Sequence, residues 1–409
     1  MAEQAKTDNG KKIWGVHPNV FFLGLTSFFT DVSSEMIFTL VPLFLSNVLG
    51  AGTAIIGLVG GLSDSTEAIF KIFSGRLSDK IHRPKLLTVF GYSLATIVKP
   101  FMYLATSWGA VAVIRLGDRM GKGIRVAPRD ALVADSVAAG ERGRGFGLRQ
   151  TMDTAGAMLG LIIAAIIIYL VQGGGVELSL KSYRWMVLGG IIPAVLGVLV
   201  LVIFVREKQK KQPASASQPT GQSTTVAKGG FDTRFKIFLA ISAIFMLGKS
   251  SDFFVILRAQ NLNVPLVQVV LMLVLFNIVY ALSALPMGIL SDRLGRKRII
   301  IVGWSIYALI YLGFAMATSV WQSWLLFAGY GLYYGAFEGV SRALVADLVP
   351  VERRGTAYGL YNGVVSAALL PASLIAGWLW QAVSPAAPFY FGAALSFVAM
   401  LGIVTLIKE

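Results

Sequence analysis

The stretch at residues 185–205 reads WMVLGGIIPAVLGVLVLVIFV and contains no charged side chain. A helix needs about 20 consecutive apolar residues to cross the roughly 30 Å hydrocarbon layer of a bilayer. A second apolar run extends from Leu159 to Val171. These stretches predict helices that span a membrane.

The composition of the whole chain agrees with this prediction. Only 14% of the 409 residues are charged, and the mean hydropathy is +0.71, whereas soluble domains carry about 25% charged residues. The net charge of +15 could suggest nucleic-acid binding. Its Lys and Arg residues, however, fall mostly in short connections between apolar runs, which is typical of membrane topology. We therefore expect no nucleic-acid partner.

The scarcity of cysteine and histidine argues against several kinds of catalytic and metal-binding site. The chain has no cysteine and two histidines, His17 and His82, so thiolate sites are excluded and histidine-based metal or acid–base sites are not expected. No nucleophile–base pattern is present, and we predict neither an enzyme nor a cofactor or metal site. Residues 1–18 are polar and lack a signal-peptide core.

Hydropathy and turn residues predict an all-α integral membrane protein with twelve transmembrane helices in two six-helix bundles. The predicted spans are 19–46, 54–77, 85–107, 109–138, 145–171, 184–205, 235–260, 266–291, 298–317, 321–349, 356–381 and 386–407. The predicted domains are a cytoplasmic tail (1–18), a first bundle (19–206), a cytoplasmic linker (207–233) and a second bundle (234–409). The linker is rich in Ser, Gln, Thr, Pro and Ala, the composition of a flexible tether.

The connections between the spans alternate in charge. The connections around 47–53, 106–109, 318–323 and 381–388 have no Lys or Arg. The other connections are basic, with Lys80, Arg83, Lys85, Arg142, Arg144, Arg206, Lys208, Lys210, Lys211, Arg293, Arg296, Lys297, Arg298, Arg353 and Arg354. Because positive loops stay in the cytoplasm, we predict a multi-pass protein of the cytoplasmic membrane with both termini cytoplasmic. We also expect the protein to be surrounded by lipid and to be monomeric.

The two halves of the chain repeat one another. The segment GRLSDK at 75–80 returns as GILSDR at 288–293, and ALVAD at 131–135 returns at 343–347. The Ser33-Ser34-Glu35 segment also resembles Ser250-Ser251-Asp252. Similar spacings at separate places indicate an internal duplication.

In these repeated segments the chain resembles the major facilitator superfamily, whose signature between the second and third helices is Gly-x-x-x-Asp-Arg-x-Gly-Arg-Arg/Lys. The second copy has every signature residue, namely Gly288, Asp292, Arg293, Gly295, Arg296 and Lys297. The first copy keeps Gly75, Asp79, Lys80, Arg83 and Lys85, but it has His82 for the glycine and Pro84 within the basic cluster. The resemblance implies two bundles related by a pseudo-two-fold axis, transport by alternating access, and a role for this motif in gating.

Two further patterns bear on a resemblance to the drug and metabolite proton antiporters of that family. Arg119 is followed four residues later by Gly123, as in the fourth-helix pattern, but Lys122 occupies a position that is often Gln. In the fifth helix, Gly156 and Gly160 match the antiporter signature, but Leu161 replaces its proline. The antiporter signature is therefore incomplete, and the direction of transport stays open.

Ionisable residues are concentrated inside the predicted spans of the first half. Asp31 and Glu35 are four residues apart in the first span. The second and third spans carry Asp64, Glu67, Lys71 and Lys99, and the fourth has a stripe at three- and four-residue steps: Arg115, Asp118, Arg119, Lys122, Arg125 and Arg129. The second half is sparser, with Lys249, Asp252, Glu338 and Arg342.

Energetics predict that these side chains face inward. Each charge facing lipid near the midplane costs about 2.5–3.5 kcal/mol, so ten would cost roughly 30 kcal/mol, against the 5–15 kcal/mol stability of a typical fold. We expect them to line a wet cavity, except that Lys71 and Arg129 near helix ends could extend to the interface.

We predict Asp31, Glu35, Asp64 and Asp118 as candidate proton-coupling residues, with Asp31 and Glu35 preferred because two close carboxylates in a low dielectric do not ionise together easily. The substrate-binding candidates are Arg115, Arg119, Lys122, Arg125, Asp252, Glu338 and Arg342. The leading hypothesis is proton-coupled export of a small amphipathic or charged drug or metabolite, a class that includes siderophore-like compounds. The alternatives are uptake of an organic anion and a divalent-cation carrier using Asp31, Glu35 and Asp64.

Overall fold

The computed structural model describes residues 13–14, 16–81, 83–137, 142–207, 231–350 and 353–406. Within these ranges the chain forms twelve long helices. They are α1 (Pro18–Val48), α2 (Thr53–Ile81), α3 (Pro84–Leu104), α4 (Trp108–Ser136), α5 (Arg142–Gln172), α6 (Leu180–Phe204), α7 (Thr233–Asn261), α8 (Leu266–Leu294), α9 (Arg296–Met316), α10 (Val320–Asp347), α11 (Arg354–Ala382) and α12 (Ala387–Leu406).

Each predicted span corresponds to one of these helices, with ends that differ by a few residues. Among the described helices, nine are apolar and long enough to cross a membrane by themselves. The other three, α2, α4 and α10, contain the polar and charged residues discussed below. Large apolar side chains such as Leu170 and Leu282 are 75% and 72% exposed, which suits contact with lipid. The predicted tail and linker fall largely at 1–12 and 208–230, outside the described residues.

Polar residues begin several helices. The hydroxyl of Ser179 accepts a 3.1 Å hydrogen bond from the Ser182 amide at the start of α6, and the carboxylate of Asp232 accepts one from the Arg234 amide at the start of α7. Because the first amides of a helix have no partner inside it, such caps define where the helix begins.

The α7 helix is interrupted, so the predicted continuous span at 235–260 is corrected here. The helix stops at Gly248 and resumes at Phe253. In the interruption, the amide of Ser251 donates a 3.2 Å hydrogen bond to the hydroxyl of Ser373 on α11. A polar partner on a neighbouring helix thus replaces the bond lost from the helix ladder, as irregular backbone in a membrane requires. The α1 helix also changes, ending in a π-helical turn at Phe44–Val48.

The helix contacts repeat between the halves. In the first half α1 packs on α5, and α4 packs on both α2 and α3; in the second half α7 packs on α11, and α10 packs on both α8 and α9. Between the halves, α2 packs on α11 and α5 packs on α8. These two interfaces exchange under a two-fold rotation that interchanges the halves. The packing therefore matches the duplication read from the sequence.

The two ends of the bundle differ. We call the end that holds residues 18, 204, 233 and 406 the terminal face, and the opposite end the distal face. At the distal face the halves are joined by hydrogen bonds: the side-chain amides of Asn47 and Gln260 bond reciprocally at 2.8 and 3.2 Å. The amide of Leu266 also donates to the carbonyl of Gly175 at 2.8 Å.

Glycines close the distal face further by allowing α2 and α11 to touch through their backbones. A Cβ added at Gly57 would lie 2.3 Å from the Ser373 carbonyl oxygen, and one at Gly377 would lie 2.6 Å from the Thr53 carbonyl oxygen. Toward the terminal face the same helix has open space, since a Cβ at Gly359 or Gly363 would meet nothing within 4 Å. The structure is closed at the distal face and open toward the terminal face.

Gly377→Val is expected to disfavour this closure, because the new side chain collides with backbone that has no room to move. The chain has no native cysteine, so a cysteine placed at the buried Ser373 position reports opening of the distal face. We expect a membrane-impermeant maleimide to label it at least about tenfold faster in the Gly377→Val background, which corresponds to about 1.4 kcal/mol. Gly363→Val on the same helix is the control, and equal labelling in the two backgrounds would contradict the argument.

Candidate functional site

A cavity of about 250 Å³ lies between the two halves. Its wall from α1, α2 and α4 contains the ionisable side chains Asp31, Glu35, Asp64, Arg115, Asp118, Arg119, Lys122 and Arg125. Its wall from α7 and α8 is less charged and contains Ser251, Asp252, Phe253, Ile256, Leu273, Phe276 and Asn277. The first-half charges lie toward the interior, as the energetic argument predicted, and the roles assigned to them stay predictions.

The α4 helix supplies five of these side chains from one face. Their three- and four-residue spacing places them in a row, and small residues bring that row close to its neighbours. A Cβ at Gly121 would lie 2.6 Å from the Gly91 carbonyl oxygen on α3, and one at Gly123 would lie 2.6 Å from the Glu67 carbonyl oxygen on α2. This close packing brings the Glu67 carboxylate within reach of α4.

Three of the four cavity cations are ion-paired. The Arg119 guanidinium donates a 2.5 Å hydrogen bond to Glu67, and the Lys122 ammonium lies 3.4 Å from the same carboxylate. Arg115 lies 3.5 Å from Asp118, one turn away on α4, and its guanidinium also lies over the Phe38 ring at 4.7 Å. Asp118, a predicted proton-coupling residue, is therefore an ion-pair partner in this conformation.

Two carboxylates of the cavity wall are unpaired. Asp31 and Asp64 form no hydrogen bond or ion pair with any residue in the described part of the chain. Glu35, one turn beyond Asp31, accepts a hydrogen bond from the hydroxyl of Thr39. Of the predicted proton-coupling residues, Asp31 and Asp64 are thus the ones whose carboxylates can gain a proton without breaking a bond.

A polar cluster surrounds Asp252 of the second-half wall, and the sequence revealed it only in part. Asp252, a predicted binding residue at the interruption of α7, accepts hydrogen bonds from the hydroxyls of Tyr330 at 2.6 Å and Tyr334 at 2.9 Å. The ammonium of Lys249 donates to the Tyr334 hydroxyl at 3.1 Å. The tyrosines were missed, although their four-residue spacing on α10 places both on one helix face.

Two first-half cations are buried away from the cavity wall. Arg129 was expected to extend to the interface, and this expectation was wrong: the residue is 8% exposed, and its Nη1 donates to the Ser27 hydroxyl at 3.0 Å and the Tyr92 hydroxyl at 3.4 Å. Lys99 is fully buried and donates to the hydroxyls of Ser33 at 2.8 Å and Ser34 at 3.1 Å. Both donate to hydroxyl groups that the sequence pattern did not reveal, and Arg129 also bonds the carboxylate of Asp130 at 3.3 Å.

Two of the predicted binding residues lie outside the cavity wall. Glu338 and Arg342 pair with each other at 3.3 Å one turn apart on α10, where Arg342 is exposed and Glu338 is half-buried. Glu338 also accepts a 2.8 Å hydrogen bond from the Tyr280 hydroxyl. In this conformation the structure does not bring them together with the other predicted binding residues.

The second copy of the predicted gating motif links three helices at the terminal face. Arg296, at the start of α9, bonds Asp292 on α8 at 2.7 Å and Asp347 on α10 at 3.0 Å. Gly295 has φ 96° in the turn between α8 and α9, a backbone conformation that favours glycine. Asp292 of the motif is thus paired with an arginine of the same motif. In the first copy the side chain of Asp79 is outside the described residues, and Arg83 is exposed.

The described residues contain no group of three or more His, Cys, Asp or Glu side chains arranged to hold a metal ion. Asp31, Glu35 and Asp64, the ligands of the divalent-cation hypothesis, therefore do not converge in this conformation.

Comparison with known protein families identifies relatives of this chain. The model described as Major Facilitator Superfamily matches residues 23–257 and 237–409. An uncharacterized MFS-type transporter of Methanocaldococcus jannaschii is 38% identical, and the alignment covers 98% of each chain. A multi-drug resistance efflux pump, PmrA, of Streptococcus pneumoniae is 24% identical over 79% of each chain.

Solved structures share the fold. A nucleoside transporter NupG mutant matches with a TM-score of 0.77 at 14% identity, covering 95% of this chain and all of its own. The xylose transporter XylE from E. coli, in an inward open conformation, matches with a TM-score of 0.71 at 15% identity, covering 95% of this chain and 96% of its own. At these identities the comparison supports the fold alone.

Arg129→Met is expected to lower stability by about 2–3 kcal/mol, since hydrogen bonds to a charged group contribute about 1.5–3 kcal/mol and the change leaves the Ser27 and Tyr92 hydroxyls without this donor. Thermal unfolding in detergent, followed by tryptophan fluorescence, measures the loss. Arg234→Met at the exposed start of α7 is the matched control. If both variants unfold at the same temperature as the unmodified protein, Arg129 is not a structural residue.

Proposed function

The chain belongs to the Major Facilitator Superfamily, and we propose that it is a proton-coupled exporter of a small charged or amphipathic organic solute. This proposal rests on two carboxylates, Asp31 and Asp64, that form no ion pair with any described residue. Both lie in a cavity that is open toward one face of the membrane. A carboxylate without an ion-pair partner can exchange a proton with water in the cavity, which is what coupling to a proton gradient requires.

The mechanism follows from the geometry of the halves. With the distal face closed, the solute enters the cavity from the terminal face and contacts the ionic wall of the first half and the aromatic wall of the second. Opening of the distal face must then break the Asn47–Gln260 amide pair and separate α2 from α11. Protonation of Asp31 or Asp64 in one of the two states, and release in the other, ties the proton gradient to this exchange.

The direction of transport depends on orientation. By the positive-inside rule we expect the basic terminal face to lie in the cytoplasm, and the conformation described would then accept solute from inside the cell. This conformation belongs to the cycle of an exporter and of an importer alike, and the similarity to an efflux pump of Streptococcus pneumoniae is what supports export. Uptake of an organic anion is the alternative. A transport assay in proteoliposomes distinguishes export from uptake by the sign of the pH gradient that drives accumulation.

Asp31→Asn is expected to uncouple transport from the proton gradient while solute exchange continues. The asparagine keeps the size and polarity of the side chain but cannot release a proton. The assay uses proteoliposomes and a solute selected by thermal-shift screening: accumulation driven by a pH gradient should be lost, and counterflow without a gradient should remain.

Asp232→Asn is the control for this experiment, because it makes the same chemical change at an exposed helix cap where asparagine serves equally well. Retained gradient-driven accumulation by both Asp31→Asn and Asp64→Asn would rule out these carboxylates as the coupling groups.

Arg119→Ala is expected to abolish transport at a normal expression level. It removes the shortest ion pair of the cavity wall and leaves Glu67 with Lys122 alone. Transport by the purified variant in proteoliposomes measures the loss, and Arg234→Ala serves as the control. Normal transport by the alanine variant would remove Arg119 from the mechanism.

A further inference from the structure

Arg125 differs from the other three cavity cations because it has no ion-pair partner among the described residues. It is 3% exposed and lines the cavity, yet it forms no hydrogen bond or ion pair with any residue in the described ranges. Its Nε and Nη1 atoms are both buried and unpartnered. By contrast, Arg115, Arg119 and Lys122 each have a carboxylate within 3.5 Å.

Neighbouring residues hold the Arg125 side chain in place. Its guanidinium lies over the Tyr92 ring at 4.3 Å. The hydroxyl of Tyr92 is in turn held by Ser27 at 3.0 Å and by Arg129 at 3.4 Å. A Cβ at Gly91 would lie 2.8 Å from the Arg125 Cβ, so glycine there makes room for the side chain. These contacts fix the guanidinium but supply none of its hydrogen-bond acceptors.

An arginine in this state needs an anion. Arginine cannot lose its proton inside a protein, and a buried charge without a counter-charge is strongly unfavourable. Asp31 lines the same cavity but is beyond ion-pair distance. The guanidinium presents a planar set of donors that matches the oxygens of a carboxylate or a phosphate. An oxyanion entering the cavity would bring this guanidinium the counter-charge that it lacks within ion-pair distance.

We propose that Arg125 is the anion subsite of this cavity and that the transported solute carries a carboxylate or phosphate group. Across the cavity, Phe253 and Phe276 of the second half offer an apolar surface to the rest of the solute. The substrate class is therefore an organic oxyanion with an apolar or aromatic body. This inference rests on the proposed function only in taking the cavity as the place where the solute binds.

The test measures binding without a pH gradient, so its outcome is separate from that of proton coupling. Purified protein in detergent is titrated with benzoate, phenyl phosphate and the neutral analogue benzamide, up to about 10 mM each, and thermal unfolding reports the affinity. Benzoate or phenyl phosphate should stabilise the protein and benzamide should not. Whichever of the two anions binds more tightly identifies the oxyanion.

Variants assign the effect to Arg125. In Arg125→Gln the affinity for the anion should fall at least about tenfold, equal to about 1.4 kcal/mol, while Arg125→Lys retains part of it. Lys71→Gln is the matched control: it removes an exposed cation of the same half that is not part of the cavity wall, and its affinity should be unchanged. Equal affinities in Arg125→Gln and the unmodified protein, equal responses to benzoate and benzamide, or no response to either anion would each overturn the proposal.

Discussion

The hydrocarbon layer cannot solvate ions, and this constraint shapes the protein more than any other. A chain that keeps many ionisable side chains within its spans must turn them toward one another or toward water. In this structure the α4 row faces α2 and the cavity, and its charges other than Arg125 are held by Glu67 and by one another. The polar cavity exists because lipid excludes these groups, and the two bundles are arranged around it.

The contacts within each half differ in kind from the contacts between the halves. The ion pairs of the cavity wall, such as Arg119–Glu67, join helices of the same half. At the distal face the halves meet through a neutral amide pair, Asn47–Gln260, and through glycine contacts between α2 and α11. Separating two charges in a low dielectric is costly, whereas neutral hydrogen bonds exchange with water at small net cost. The contacts within each bundle are therefore more costly to break than the contacts between the bundles at the distal face.

The sequence allowed the helix count, the duplication and the inward orientation of the first-half charges to be predicted, because hydropathy and lipid exclusion act on each span separately. The interruption of α7 was missed because it depends on the Ser373 hydroxyl, which lies on another helix. The burial of Arg129 was missed for the same reason, since Ser27 and Tyr92 are distant in sequence. The pairing state of each cavity cation likewise depends on helix packing, so the row on α4 did not reveal that Arg125 differs from its neighbours.

The duplicated helices α4 and α10 carry different residues at equivalent positions, so the two halves differ in chemistry near the cavity. The repeat of ALVAD at 131–135 and 343–347 aligns Asp118 with Tyr330 and Lys122 with Tyr334. The same face of the equivalent helix thus carries charges in the first half and hydroxyl-bearing rings in the second. Tyrosines donate hydrogen bonds to Asp252 without adding charge, so this carboxylate is solvated by neutral groups. The second half thus surrounds its cavity carboxylate with neutral hydroxyl groups, at helix positions where the first half carries charged side chains.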